Sequence, residues 1–396
     1  MRTLSATLLA AQKAPTRNPY VKVEIRPKIG AATRLDWQRI YTGSEPDYYH
    51  AATCPGDGSL IRARIAIIDS TRQLYRQRVT NPDQGADFSP WTYIAYTSVA
   101  GTALASSGAN VIHFWADTNQ KTIKYQESSD NGVTWGSIQT LYTTTYGIYH
   151  LAAAMKPNGD VCLFYFEFDV IKAVKRVSGT WGSPATWTNS LDVVSGMATA
   201  YQSDWNLVIS GRNASNQRGV WSGIYGDGGS VSLDTWSALK EILLSDNTNV
   251  DYKYPSLTYD GIIHRLTLLE LYSGGPVEGY YKRPYLSFQT PQSTYLDNLW
   301  REPYPFNLSG EYGLAIAKVP TKIFLSIPSG VWQAILSSTA LDVTPDVLEL
   351  RQVISPPSGR GSGGGGNLVI ELDNSRGQYA NFNKKGCEIL VSPGYN

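Results

Sequence analysis

The chain has 396 residues, among them 26 tyrosines, 11 tryptophans, 36 glycines and 21 prolines, and only 17% of the residues are charged. Its 34 basic and 33 acidic residues nearly cancel and form no basic block; this excludes a sequence-independent nucleic-acid binder, which needs a field of lysine and arginine. No apolar run approaches the ~18 residues of a membrane-spanning helix, and the three scattered cysteines, Cys54, Cys162 and Cys387, make neither a disulfide framework nor a metal motif.

Aromatic and β-branched residues favour strands, while glycine and proline mark turns, so the expected class is all-β. The opening "MRTLSATLLAAQKAP" predicts a short helix with Leu4, Leu8 and Leu9 on one face, ended by Pro15. Ser5 and Thr7 break the apolar stretch that a signal peptide would need. "YVKVEI" (20–25) alternates cleanly and reads as one strand.

From Trp37 onward the chain repeats. Trp37, Trp91, Trp135, Trp187, Trp236 and Trp300 stand 44 to 64 residues apart. Each opens a short β-like stretch, then a turn-rich link, then a run of small residues, a turn and a strongly apolar strand. "AAAMKPNGDVCLFYFEF" (152–168) and "ALASSGANVIHFWAD" (103–117) show the last three parts, and each reads as a hairpin. Six units of about four strands predict a six-bladed β-propeller over residues 35–341. Ala51, Ala103, Ala152 and Ala198 would fit the crowded axis, with each tryptophan on an outer strand. The strand after Trp37 precedes any complete unit. It is expected to complete the sixth blade and so hide an open sheet edge.

"SSDNGVTWGS" (128–137) carries Ser128, Asp130, Gly132 and Trp135 in the spacing S-x-D-x-G-x-x-W. This resembles the Asp-box of sialidases and other glycan-handling propellers. The resemblance implies a hairpin between two outer strands, remote from the sugar site and structural in role. In such a turn Asp130 accepts backbone N–H groups, Gly132 supplies a special φ, and Trp135 buries its ring between blades. "SGTWGSPATW" (178–187) reads as a decayed relative.

Nothing in the spacing assembles a catalytic centre. Glycosidases of the common kind need two carboxyl groups facing a sugar. A sialidase-like enzyme would also need an arginine cluster and a Tyr–Glu pair. Arg62, Arg64, Arg176, Arg212, Arg218, Arg265 and Arg283 are scattered, and "IRARIAI" (61–67) matches the Arg-Ile-Pro element poorly. No nucleophile elbow, H-E-x-x-H pair or P-loop is present. No catalytic residue, metal or cofactor is therefore expected. His50 and His150 occupy one register and His113 and His264 another, which does not converge four ligands on a metal. The links ahead of the inner strands carry Tyr48, Tyr49, His50, Tyr149, His150, Tyr252, Tyr254 and Tyr312. These are the candidate ligand-face residues, because tyrosine offers a flat apolar face with a polar tip to a sugar ring or a protein.

After residue 342 come "DVLELRQVI" (346–354), "NLVIELDNSRGQY" (367–379) and "CEILVSPGY" (387–395), all strand-like, with a Gly-rich loop at 358–366 as a mobile hairpin tip. Residues 1–34 and 342–396 are expected to form one small β domain into which the propeller is inserted. "LDNSRGQYANF…KKGCEILVSPGY" resembles the segment with which long-tailed phage tail-tip, or baseplate hub, proteins begin, and "LSATLLAAQKAPTRNPYVKVEI" resembles minor tail proteins. The resemblance implies a virion protein of the tail tip, made in the host cytoplasm. Its partners would be other tail proteins in a symmetric homo-oligomer, a trimer, with the propeller exposed to a host-surface glycan or receptor. It also implies an ordered fragment of a longer protein. The alternatives are a sialidase-like glycoside hydrolase and a secreted lectin.

Overall fold

The computed structural model describes residues 19–26, 38–42, 49–82, 88–97, 101–187, 191–245, 250–259, 264–272, 281–289, 315–319, 322–327, 330–335, 341–342, 347–354, 366–372 and 388–395. The expected N-terminal helix, Trp37, Trp300, Tyr48, Tyr312 and residues 358–365 lie outside them. The chain divides into two compact units, Gln38–Ala334 and Met1–Trp37 with Ile335–Asn396.

Every regular element among the described residues is a strand. β1 (Pro19–Arg26) is followed by β2 (Gln38–Thr42). An antiparallel sheet then takes β3 (Tyr49–Thr53), β4 (Leu60–Ile68), β5 (Thr71–Val79) and β6 (Thr92–Tyr96) in chain order. The second takes β7 (Thr102–Ser107), β8 (Asn110–Ala116), β9 (Thr122–Ser128) and β10 (Gln139–Thr143). The third takes β11 (Ile148–Met155), β12 (Val161–Glu167) and β13 (Val170–Val177). Two short outer pieces, β14 (Thr180–Trp181) and β15 (Ala185–Trp187), both pair with β13. The fourth holds β16 (Leu191–Tyr201), β17 (Trp205–Asn213), β18 (Arg218–Tyr225) and β19 (Lys240–Ser245), and the fifth β20 (Val250–Tyr259), β21 (His264–Tyr272) and β22 (Tyr281–Gln289). The sixth is β23 (Ala315–Val319), β24 (Lys322–Ile327) and β25 (Gly330–Ile335), and its outer strand is β2, paired with β25 from Gln38↔Gln333 to Thr42↔Gly330. In the other unit, β26 (Leu341–Asp342) pairs with β1, β27 (Val347–Ile354) and β28 (Gly366–Leu372) form a hairpin, and β29 (Glu388–Tyr395) pairs with β1 along its length.

The apolar strands are continuous rather than alternating because both faces of these sheets are covered. All seven residues of β12 are buried. On one face Leu163 and Tyr165 join Phe114, Ile112 and Tyr125 of the second sheet. On the other, Cys162 and Phe164 join Trp205, Leu207 and Ile209 of the fourth. A similar layer packs Val208 and Val220 against Leu257 and Leu266, and another packs Leu60 and Val79 against Phe324 and Val331. The first strands of the sheets also meet: β3 on β7, β7 on β11, β11 on β16, β16 on β20, β20 on β23, and β23 on β3.

The turn at 128–137 joins the two outer strands of its sheet, β9 and β10. Thr134 donates to Asp130 through its backbone N–H (2.9 Å) and its hydroxyl (2.6 Å), and Ser128 donates its hydroxyl to Asp130 Oδ1 (2.7 Å). Gly132 N–H donates to Ser128 Oγ (2.9 Å), and its φ of +77° lies in the left-handed region. The Trp135 ring packs beside Ile61 and Leu104 and lies under the Arg76 guanidinium, 3.4 Å from it, so it bridges the first and second sheets. The tryptophans depart from their expected place. Trp91, Trp135 and Trp236 fall just before β6, β10 and β19, and only Trp187 ends a strand. A ring standing off the strand end covers the gap to the next sheet: Trp187 and Trp236, from successive units, stack 4.5 Å apart and 8° from parallel.

Candidate functional site

The first strands of the six sheets enclose a central cavity of about 110 Å³. Its wall is largely small residues, with Ala51, Ala103, Ala152, Ala198 and Ala315 each supplied by a different sheet. The aromatic lining groups are Tyr49, His50, His150 and Tyr254. On the cavity scale a water needs roughly 10–15 Å³, so the space admits several waters or the polar edge of one sugar ring. Among the described residues its lining carries no aspartate or glutamate.

Three of the enclosing strands bulge beside the cavity. The register slips between Ile148 and His150 in β11, between Val194 and Gly196 in β16, and between Lys253 and Ser256 in β20. A bulge breaks the two-residue alternation and re-aims side chains. Tyr254 sits in the β20 bulge with φ +50°, a costly conformation for a residue with a Cβ. There it lines the cavity and meets Tyr49 edge-to-face at 6.0 Å. Gly196 permits the approach of the same bulge, since a Cβ there would lie 2.5 Å from Pro255 Cδ.

The hydrogen bonds set the tautomers of the two cavity histidines. Arg62, buried in β4, donates from Nε to Ser326 Oγ (2.7 Å), from Nη1 to Gln77 Oε1 (2.9 Å) and from Nη2 to His50 Nε2 (3.5 Å). Guanidinium only donates, so His50 Nε2 is an acceptor, also facing Ser326 Oγ at 2.8 Å. The proton of neutral His50 is therefore on Nδ1, which is buried and has no hydrogen-bond partner. His150 is the opposite case. Its Nε2 lies 3.1 Å from the Val194 carbonyl, which only accepts, so Nε2 carries the proton and Nδ1 is left as an acceptor. Both rings are neutral: burial, then the Arg62 charge, holds His50 well below the usual histidine range. Burial brings His150 down to about 4.

The structure sorts the residues proposed from sequence. Tyr49, His50, His150 and Tyr254 line the cavity, and Tyr149 stands exposed one residue before His150. Tyr252 is a correction: it is buried in the layer between the fourth and fifth sheets, with Val208 and Leu266. It lies on the N-terminal side of the β20 bulge, which separates it from the cavity. Ser195, Gly196, Pro255 and Ser326 were not singled out by sequence, although "VSGMA" marks a small-residue link, and Arg62 was noted only as one of the scattered arginines. His113 belongs to neither cavity wall nor metal site. It accepts from Arg76 at Nδ1 (3.3 Å), which leaves Nε2–H to donate to Thr102 Oγ1 (2.7 Å). Among the described residues, no three of His, Cys, Asp and Glu are placed to hold a metal ion.

Two further hollows adjoin. The enclosing strands widen at their far ends into a space of about 770 Å³ lined by Cys54, Ser106, Met155, Tyr201 and Lys318. A cleft of about 520 Å³ runs between the second and third sheets, past Ser128, Asp160 and the ion pair of Arg176 with Glu127 (2.8 Å).

Neither a family model nor a curated protein sequence matches the chain. Among solved structures it is similar to the SapL1 lectin in complex with α-methyl fucoside, at 12% identity over 77% of this chain and 97% of that one, with a TM-score of 0.49. It is also similar to the Hadza microbial sialidase Hz136, at 12% identity over 75% of this chain and 66% of that one, TM-score 0.42. A third is the Aleuria aurantia lectin in complex with Fucα1-6GlcNAc, at 10% identity over 76% of this chain and 96% of that one, TM-score 0.43.

Proposed function

We propose that residues 38–334 form a six-bladed β-propeller that binds a glycan at its central cavity and does not cleave it. The propeller reading is supported by the cyclic packing of the six first strands and by the sharing of the sixth sheet between β2 and β23–β25. One observation carries the glycan reading. Beside the Tyr49 and Tyr254 rings the cavity is lined by two neutral imidazoles, His50, whose Nδ1 is buried without a partner, and His150, whose Nδ1 is left as an acceptor. A sugar hydroxyl both donates and accepts, and a buried N–H gains most from such a partner because leaving it unmade costs about 1–3 kcal/mol. A lining without carboxylates among the described residues favours binding over hydrolysis, which needs two of them.

A glycan array on the full chain, followed by titration calorimetry, tests this. Binding is expected to weaken about tenfold in His50→Phe, which keeps a ring and removes the N–H, and further in Tyr254→Ala. Absence of any bound glycan overturns the reading, and release of product from chromogenic glycosides or sialosides overturns its non-catalytic part.

The flanking unit carries a second reading, a tail-tip protein of a long-tailed phage. It rests on the resemblance of the flanking sequences; the domain plan it implies is supported by β1, which pairs with β26 and β29 and so joins residues from before and after Gln38–Ala334 in one sheet. Under this reading the chain assembles as a trimer with other tail proteins and presents the glycan site to the host surface. Sedimentation of the full chain tests the trimer; a monomer at micromolar concentration argues against it.

A further inference from the structure

We infer that the binding site continues out of the central cavity onto the loops of the third sheet, where three exposed aromatic rings take the next sugars of an oligosaccharide. This rests on the glycan reading of the cavity. Phe168, Tyr146 and Tyr149 are 61%, 54% and 43% exposed, an unusual outlay of large apolar surface for one corner of a unit. Phe168 occupies the β12–β13 turn with φ +60°, a sparsely populated region for a bulky side chain. Its ring stacks on Tyr146 at 5.0 Å and 29°.

The rings are held in place by the loops beneath them. Phe168 N–H donates to the Gly147 carbonyl (3.4 Å), and Tyr146 N–H donates to Glu167 Oε1 (3.4 Å), a buried carboxylate also gripped by Lys172 (2.5 Å). Ile148 N–H donates to the Gln120 carbonyl and Thr144 N–H to the Lys121 carbonyl, both at 2.7 Å. Rings fixed before a ligand arrives lose little freedom on binding. Tyr149 connects this pair to the cavity: its ring end lies 3.5 Å from where a Cβ on Gly147 would stand, beside Tyr146, and its neighbour in β11, His150, lines the cavity.

The shape of the patch selects its occupant. A pyranose has a C–H face ringed by hydroxyls, and the platform offers flat rings edged by two tyrosine hydroxyls. Three half-exposed rings supply roughly 300 Å², well short of the ~800 Å² per partner of a stable protein interface.

The experiment is calorimetry of the full chain with mono-, di- and tetrasaccharides of the best array hit. Wild type is expected to gain at least tenfold in affinity with length. Phe168→Gly suits the left-handed φ and so keeps the turn; it is expected to abolish that gain while leaving monosaccharide affinity unchanged, as is Tyr146→Ser. Phe168→Tyr is expected to retain it. A wild type without length dependence, or a Phe168→Gly variant that keeps it, overturns the inference and leaves the cavity reading standing. Length-dependent binding unaffected by His50→Phe but lost in Phe168→Gly would sink the cavity reading and keep the platform. No binding at any length overturns both.

Discussion

Gly132 meets two demands at once. Its φ of +77° strains any residue with a Cβ, and a Cβ there would come 2.3 Å from Ile61 Cδ1 in the neighbouring sheet. Gly132→Ala is expected to destabilise the fold by about 1–3 kcal/mol. A denaturant midpoint unchanged from wild type would refute this account of the turn. Asp130 is held by Thr134 first, through side chain and backbone, and then by Ser128, which brings its carboxyl down to about 2. These roles were legible in the sequence because the S-x-D-x-G-x-x-W spacing is a local recipe: the bonds to Asp130 and Ser128 that shape the turn join residues within four positions. Gly196 was not legible as a contact residue, because its neighbour Pro255 comes from another sheet.

At the level of elements, β12 shows why its apolar run had to be continuous. Phe164 has no exposed surface and lies among Trp187, Trp205 and Leu207. Phe164→Ala is expected to cost about 3–5 kcal/mol, partly as lost transfer energy and partly as a cavity, read from the urea midpoint. β2 makes a different argument. It supplies the outer strand of the sixth sheet, so removing residues 1–42 exposes the unpaired edge of β25. Such an edge invites pairing with another chain; the truncated protein is expected to melt lower and to scatter light as concentration rises, and a melting curve that matches wild type would deny β2 that role. The hairpins were readable from Gly, Asn and Asp punctuation between apolar runs. The bulge in β20 was not, and it alone separates Tyr252 in the core from Tyr254 at the cavity.

Across the whole Gln38–Ala334 unit, each of the first three sheets buries one neutral histidine. Burial lowers His50, His113 and His150, helped by the charges of Arg62, Arg76 and Lys253 respectively. Unfolded, each titrates near 6.5. Folded, each takes its proton only at lower pH, down to about 4 for His150. Between those values the unfolded chain binds more protons, so stability is full above about pH 6.5 and falls as the pH drops toward 4. Every tenfold difference in proton affinity is worth about 1.4 kcal/mol. Denaturant midpoints measured from pH 7.5 to 5 are expected to fall, and His113→Gln to flatten the slope; a flat wild-type profile would contradict the neutral assignment.

The amino-acid order by itself determined the all-β class, the hairpins and the small residues of the first strands. All of these follow from side-chain period, turn chemistry and volume, which act over a few neighbouring residues. Only the tertiary structure decided which tyrosines face the cavity, which imidazole donates and which accepts, and that Phe168 stands in solvent against Tyr146. Those outcomes depend on one-residue register slips and on partners such as Ser326, 276 positions from His50, and no local pattern encodes contacts at that distance.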